Sequence, residues 1–265
     1  MRTSSRWKPA AAVGALALLL TACGGGGGEQ ASAPEPSGGS TVSGFITVSA
    51  AASLTGSFEQ LAEAFEAAYP GTDVVLSFGG SPALAQQIVS GAPVDVFAAA
   101  SPATMQTVVD AGDASDPRTF ARNRLQIAIP ADDPGVETGL ADFARPELTI
   151  ALCAPAVPCG VAAGKAFAAA GLTPSVDTEE QDVKAALTKV VEGEVDAALV
   201  YRTDVLAAGP RVRGIAFPEA DGAVNDYPIA ATTDAENAAG AEAFVAYVLS
   251  QEGQDVLAAA GFDRP

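Results

Sequence analysis

Polar residues able to grip a ligand gather where short apolar runs give way to helical patterns. Ser49-Ala50-Ala51-Ala52-Ser53-Leu54-Thr55 leaves such a run and leads into a helix. Phe78-Gly79-Gly80-Ser81-Pro82 does the same, with Ser81 expected as the cap and Pro82 at the first helical position, where its missing N–H costs nothing. Pro158-Cys159-Gly160 and Gln181-Asp182-Val183 open two further helices, Asp182 being the expected cap of the second. Each start offers backbone N–H groups without intrahelical acceptors and the positive end of a helix dipole. Starts that converge would bind an anion with no formal cation. Ordinary capping uses the same residues in any α/β protein, so spacing alone leaves both readings open. Tyr201, which ends the apolar run Ala197–Tyr201, reads by itself as a core residue with a bonded hydroxyl.

Charge narrows the choice. The chain has 14 Lys and Arg against 32 Asp and Glu, a formal charge of −18, and this sign excludes nucleic acid as a partner. Between Lys8 and Arg118 there is neither Lys nor Arg, so an anion held by the first half of the chain must rely on neutral donors. There is no His. A zinc site built on Cys153 and Cys159 is therefore poorly supported, since two thiols do not close a zinc shell. An enzyme would have to draw its acid or base from carboxylates such as Asp182 and Asp204, or from Tyr201. Asp182 is better explained as a helix cap, and no cofactor is expected.

These residues must be positioned by alternating strands and helices. Phe45–Val48, Val74–Leu76 and Val94–Phe97 read as strands. Between the first two, Phe58, Leu61, Phe65 and Tyr69 recur at helical spacing, ended by Tyr69-Pro70-Gly71. A helix is expected from Pro82 to Val89, and another opening at Pro102. This alternation predicts a parallel sheet covered on both faces. A second unit begins near Arg122, with strands at Leu125–Ile129, Leu148–Leu152, Ala197–Tyr201, Val212–Phe217 and Pro228–Thr233. Helices are expected at about 161–170, 183–192, 235–249 and 252–260. Open sheets of this kind bind ligands at the carboxyl ends of their strands.

The amino-terminal region reads as an export signal. Arg2, Arg6 and Lys8 precede an apolar run from Ala10 to Ala22, shorter than the roughly 20 residues of a membrane span. Leu20-Thr21-Ala22-Cys23 looks like a bacterial lipobox, in which cleavage precedes a cysteine that takes a diacylglycerol. The Gly, Ser and Pro that follow, to about Gly44, read as a flexible tether reaching about 25 Å. An exported protein anchored to the outer face of the cell membrane by Cys23 is thus expected. In that oxidising setting the remaining cysteines, Cys153 and Cys159, are expected to pair.

Several strings together resemble the periplasmic molybdate-binding family of ABC importers. They are Val48–Thr55, Ser77–Ser81, Gly91–Phe97, Val157–Gly160, Asp182-Val183, Leu199–Tyr201 with Asp204, Tyr227–Ile229 and Ala260–Phe262. They run in order from about Phe45 to Phe262. The resemblance implies a class II periplasmic-binding-protein fold, with two α/β lobes, a cleft between them and two crossing segments. The expected organisation is a signal at 1–22, a tether at 23–44, lobe 1 at 45–121, lobe 2 at 122–224 and a return to lobe 1 at 225–265.

Carried over by position, Ser53 and Ser81 would bind the oxyanion by hydroxyl and N–H, Cys159 and Val183 by N–H, and Tyr201 by its phenol. Where the family commonly has Ala, this chain has Cys159; only its N–H is needed, and a bridge to Cys153 would stiffen the loop presenting it. The implied ligand is molybdate and the implied partner an ABC permease; tungstate is expected to fit alike, and a monomeric binding protein that is not an enzyme is expected. The alternatives are a sulfate- or thiosulfate-type receptor of the same fold and, more remotely, a secreted enzyme such as a dehydratase. The tether alone suggests a third, a signalling or adhesion lipoprotein.

Overall fold

A computed structural model describes residues 42–132 and 139–265. The signal, Cys23 and nearly all of the tether lie outside them. The first sheet contains β1 (Gly44–Ala51), β2 (Thr72–Gly79), β3 (Val96–Ala98), β4 (Arg118–Asn123) and β10 (Asn225–Ala231), in the order β2-β1-β3-β10-β4. The second contains β5 (Leu125–Pro130), β6 (Ile150–Cys153), β7 (Thr178–Glu180), β8 (Ala197–Tyr201) and β9 (Val212–Ile215), in the order β7-β6-β8-β5-β9.

Both sheets are mixed. β1 runs parallel to β2 and β3, but β10 runs antiparallel to β3 and β4. β6 runs parallel to β7 and β8, but β5 runs antiparallel to β8 and β9. The wholly parallel sheet expected from alternation is thereby corrected. Strands that begin just after the chain passes from one sheet to the other arrive in the opposite direction, and residue type does not record direction.

Helices cover both faces of the first sheet. On one side, α1 (Thr55–Ala68), α7 (Ala238–Leu249) and α8 (Gln251–Ala259) pack on Ile46, Val48, Val96 and Ala98. Phe58 of α1 lies against Phe120 and Phe244, with ring centroids 5.8 and 6.1 Å away. Burial of each such ring stabilises the fold by about 1.5–3 kcal/mol. On the other side, α2 (Ser81–Val89) and α3 (Pro102–Ala111) enclose Phe97 and Ala99. Alternate residues of β3 thus feed opposite cores, as strand geometry requires. The second sheet has its own core, shared with α4 (Pro158–Ala170), α5 (Val183–Val191) and α6 (Arg202–Ala208). In α5 the buried residues Val183, Ala186, Leu187 and Val190 form one helical stripe.

The chain crosses between sheets at Asn123–Leu125 and again between β9 and β10. Asn123 and Asn225, one at each crossing, are register partners. Among the described residues, no helix is long and apolar enough to cross a membrane.

Candidate functional site

Carboxyl ends of strands from both sheets meet at one small cavity. It is lined by Ala51, Ala52, Ser53, Gly79, Gly80, Ser81, Ala100, Val157, Pro158, Cys159, Asp182, Val183 and Tyr201. All five residues expected at an oxyanion site, Ser53, Ser81, Cys159, Val183 and Tyr201, are therefore brought together from well-separated parts of the chain. The lining contains no Lys or Arg. The cavity holds about 220 Å3 of space free of atoms, part of it open to solvent.

Each side chain is held by its local element. Ser53 lies in a 3-10 turn, Ala52–Leu54, that joins β1 to α1. Its Oγ is 2.9 Å from Tyr227 Oη. Ser81 is the first residue of α2; Gly80 occupies the cap position, and no side chain caps this helix. This corrects the expectation of Ser81 as the cap. Its Oγ instead accepts the N–H of Ala100 at 3.0 Å, and its own proton remains to be donated. Asp182 does cap α5, its Oδ1 accepting the N–H of Ala185 at 3.0 Å, so this carboxylate on the cavity wall is engaged with the helix start behind it.

Cys159 lies in the first turn of α4 and is joined to Cys153, at the end of β6, by a disulfide. The bridge removes the alternative of a two-thiol metal site. The next residue, Gly160, packs so closely that a Cβ would lie 2.0 Å from Ala154 O. Bridge and glycine together press the start of α4 onto the end of β6.

Tyr201 ends β8 and is 1% exposed. Its Oη accepts a hydrogen bond from the Asn225 side-chain N–H at 2.7 Å. Burial, foremost, then the neighbouring Tyr227 and its hydrogen bond, then the charge of Asp204, push the Tyr201 phenol well above its usual range, against the opposing bond from Asn225. Burial pushes the Tyr227 phenol up as well. Both rings therefore carry neutral hydroxyls at physiological pH. Asp204 accepts the N–H of Tyr201 at 3.1 Å, and its other oxygen lies 3.1 Å from Lys184 Nζ. The lysine that follows Val183 is thus committed to a buried carboxylate. The carboxylates an enzyme would have required are both occupied in holding helix starts.

The two sides of the cavity are in contact. A Cβ on Gly80 would lie 2.5 Å from Gln181 O across the cleft, so backbone meets backbone there. The Asn225 side-chain nitrogen also reaches Ala100 O at 3.0 Å and Pro158 O at 3.2 Å, one carbonyl from each side.

Sequence reasoning did not identify Asn225, Asn123 or the role of Tyr227. The strand was expected to begin at Pro228, whereas it begins at Asn225. A signal was present: Asn225 and Tyr227 lie two apart and so share a face, and Asn is unfavoured within strands unless its amide has a task.

Comparisons with known proteins agree with this geometry. Residues 46–263 match the family described as bacterial extracellular solute-binding protein. The molybdate-binding protein ModA of Mycobacterium tuberculosis (strain ATCC 25618 / H37Rv) is 38% identical over 253 residues, covering 95% of this chain and 97% of that one. ModA of Escherichia coli (strain K12) is 32% identical over 235 residues, covering 83% and 89%. Among solved structures, the Azotobacter vinelandii periplasmic molybdate-binding protein has a TM-score of 0.74 at 24% identity, covering 83% of this chain and 99% of that one, a likeness of fold. The expected two-lobed periplasmic-binding fold is the one found, and these homologues are solute-binding proteins, not enzymes. The chain belongs to the bacterial extracellular solute-binding family and is a homologue of the molybdate-binding protein ModA.

Proposed function

We propose that this protein captures molybdate, and tungstate equally, in the interlobe cavity and delivers it to the permease of an ABC importer. The protein acts as a monomer, exported and held at the outer face of the cell membrane by lipidated Cys23. Lobe 1 spans 45–121 and 225–265, and lobe 2 spans 122–224. The carrying observation is the convergence of Ser53, Ser81, Cys159, Val183 and Tyr201 on one cavity whose lining has no Lys or Arg.

The physical case rests on donor chemistry. A tetrahedral dianion has four oxygens that only accept. Hydroxyls of Ser53, Ser81 and Tyr201 and N–H groups at the starts of α2, α4 and α5 only need to donate, and each charge-assisted bond contributes about 1.5–3 kcal/mol. Closure removes water, which strengthens every such bond. Fixed neutral donors select by size and by the absence of ligand protons, where a lysine would attract any anion. Sulfate, being smaller, leaves some donors beyond contact, which separates this reading from a sulfate- or thiosulfate-type receptor.

Thermal unfolding with an oxyanion panel tests the proposal. Molybdate and tungstate should each raise stability by about 2.7 kcal/mol at 100 times the dissociation constant, with sulfate and phosphate much weaker. A larger response to sulfate, or none to molybdate, would contradict it.

A further inference from the structure

Asn225 lies behind the ligand-facing hydroxyls and is 7% exposed. Its side-chain nitrogen faces Tyr201 Oη at 2.7 Å, Ala100 O at 3.0 Å and Pro158 O at 3.2 Å. Two of these partners are carbonyls, which only accept, so the NH2 end of the amide must face them. An NH2 group has no lone pair to offer, and Tyr201 Oη must therefore accept from Asn225. The single phenolic proton is left to be donated, to the neighbouring Tyr227 oxygen with which Tyr201 is hydrogen-bonded or, once an anion is bound, to that anion. The same logic governs Ser81, whose Oγ accepts the Ala100 N–H and keeps its proton free.

We propose that Asn225 is a positioning residue that sets the anion selectivity of the site. By filling a lone pair of Tyr201 from behind, it holds the phenol as a donor toward the cavity, matched to an oxyanion with no proton of its own. The second side-chain N–H of Asn225 is shared between a carbonyl from each side of the cleft, which ties that orientation to the contact between the two sides. An oxyanion that keeps a proton at neutral pH, such as hydrogen phosphate, meets a proton at Tyr201 where it needs a lone pair. The proposal rests on the cavity being an oxyanion site.

A double-mutant cycle tests it by calorimetry with molybdate and phosphate. Wild type, Asn225→Ala, Tyr201→Phe and the double variant are compared, with unfolding of each unliganded protein as a check of fold. Loss of one buried bond to a charged ligand corresponds to roughly 10- to 100-fold in affinity. Asn225→Ala should lose about that factor in the wild-type background and less than about 3-fold beside Tyr201→Phe, because the two act as one unit. Asn225→Asp has the same shape but replaces the donor with an acceptor. The phenol should then turn its proton toward the introduced carboxylate and its lone pair toward the ligand, lowering the molybdate-to-phosphate affinity ratio by at least about 10-fold. If Asn225→Asp does not fold, the alanine cycle decides. Equal losses in both backgrounds, or an unchanged ratio in a folded Asn225→Asp, would overturn the positioning role alone. A wild type that binds no oxyanion would overturn the underlying reading as well.

Discussion

Buried Asp204 shows how single residues keep this site neutral. It is fully buried, accepts the N–H of Tyr201 and pairs with Lys184, whose side chain is about one-third exposed. Burial pushes the carboxyl up, opposed by the charge and hydrogen bond of Lys184. A folded-state value above the unfolded one means that protonation favours the fold, so stability tied to this group falls as pH rises from about 3.9 toward the raised value. Lys184→Met removes the opposing charge and leaves a carboxylate unpaired in the core. Calorimetry or denaturant unfolding should show a loss of about 3 kcal/mol at neutral pH, shrinking on acidification toward pH 4 as Asp204 takes up a proton. A loss independent of pH would mean that Lys184 stabilises through packing, with no part for the charge pair.

At the scale of elements, the starts of α2, α4 and α5 and the turn before α1 do the positioning, and they were readable because strand endings, Pro and caps are local signals. The five expected ligand residues fall at those starts or, for Tyr201, at a strand end. Polar edge strands were harder: β4 reads Arg-Thr-Phe-Ala-Arg-Asn, with buried and exposed residues mingled along it. The short helix α6 begins directly after Tyr201 with no break in the sequence to announce it. Asp95, inside one of the strings resembling the family, proved structural: its carboxylate accepts the N–H groups of Thr47 and Asn237, at 2.7 and 2.9 Å. Asn225 was missed because its partners, Tyr201, Ala100 and Pro158, are distant in sequence. The disulfide between β6 and α4 carries a prediction at this scale. Replacing Cys153 and Cys159 by Ala should destabilise the unliganded protein by about 2 kcal/mol through loop entropy, and weaken molybdate binding as the Cys159 N–H becomes costlier to order. Unchanged affinity in a correctly folded variant would show that Gly160 and the packing of α4 fix this donor without the bridge.

The proposed function has two lobes close about a site without cations, in a protein whose formal charge is −18. Gly80 is one point where the two sides of the cavity touch, its α-carbon facing Gln181 O with no room for a methyl group. Its φ of −62° is open to any residue, so Gly80→Ala introduces no backbone strain before closure. The variant should melt like wild type without ligand, yet bind molybdate at least about 10-fold more weakly, chiefly through faster dissociation. Stopped-flow release of the anion measures this, and an unaltered off-rate would show that the backbone contact is not needed for retention.

The most direct test of a cation-free oxyanion site is a crystal structure grown with molybdate, with the metal located by its anomalous scattering. Molybdenum should lie in the cavity, its oxygens within hydrogen-bond distance of the Ser53, Ser81 and Tyr201 hydroxyls and of the Cys159 and Val183 N–H groups, with every Lys and Arg out of reach. Molybdenum bound elsewhere, or held by a guanidinium or ammonium group, would contradict it.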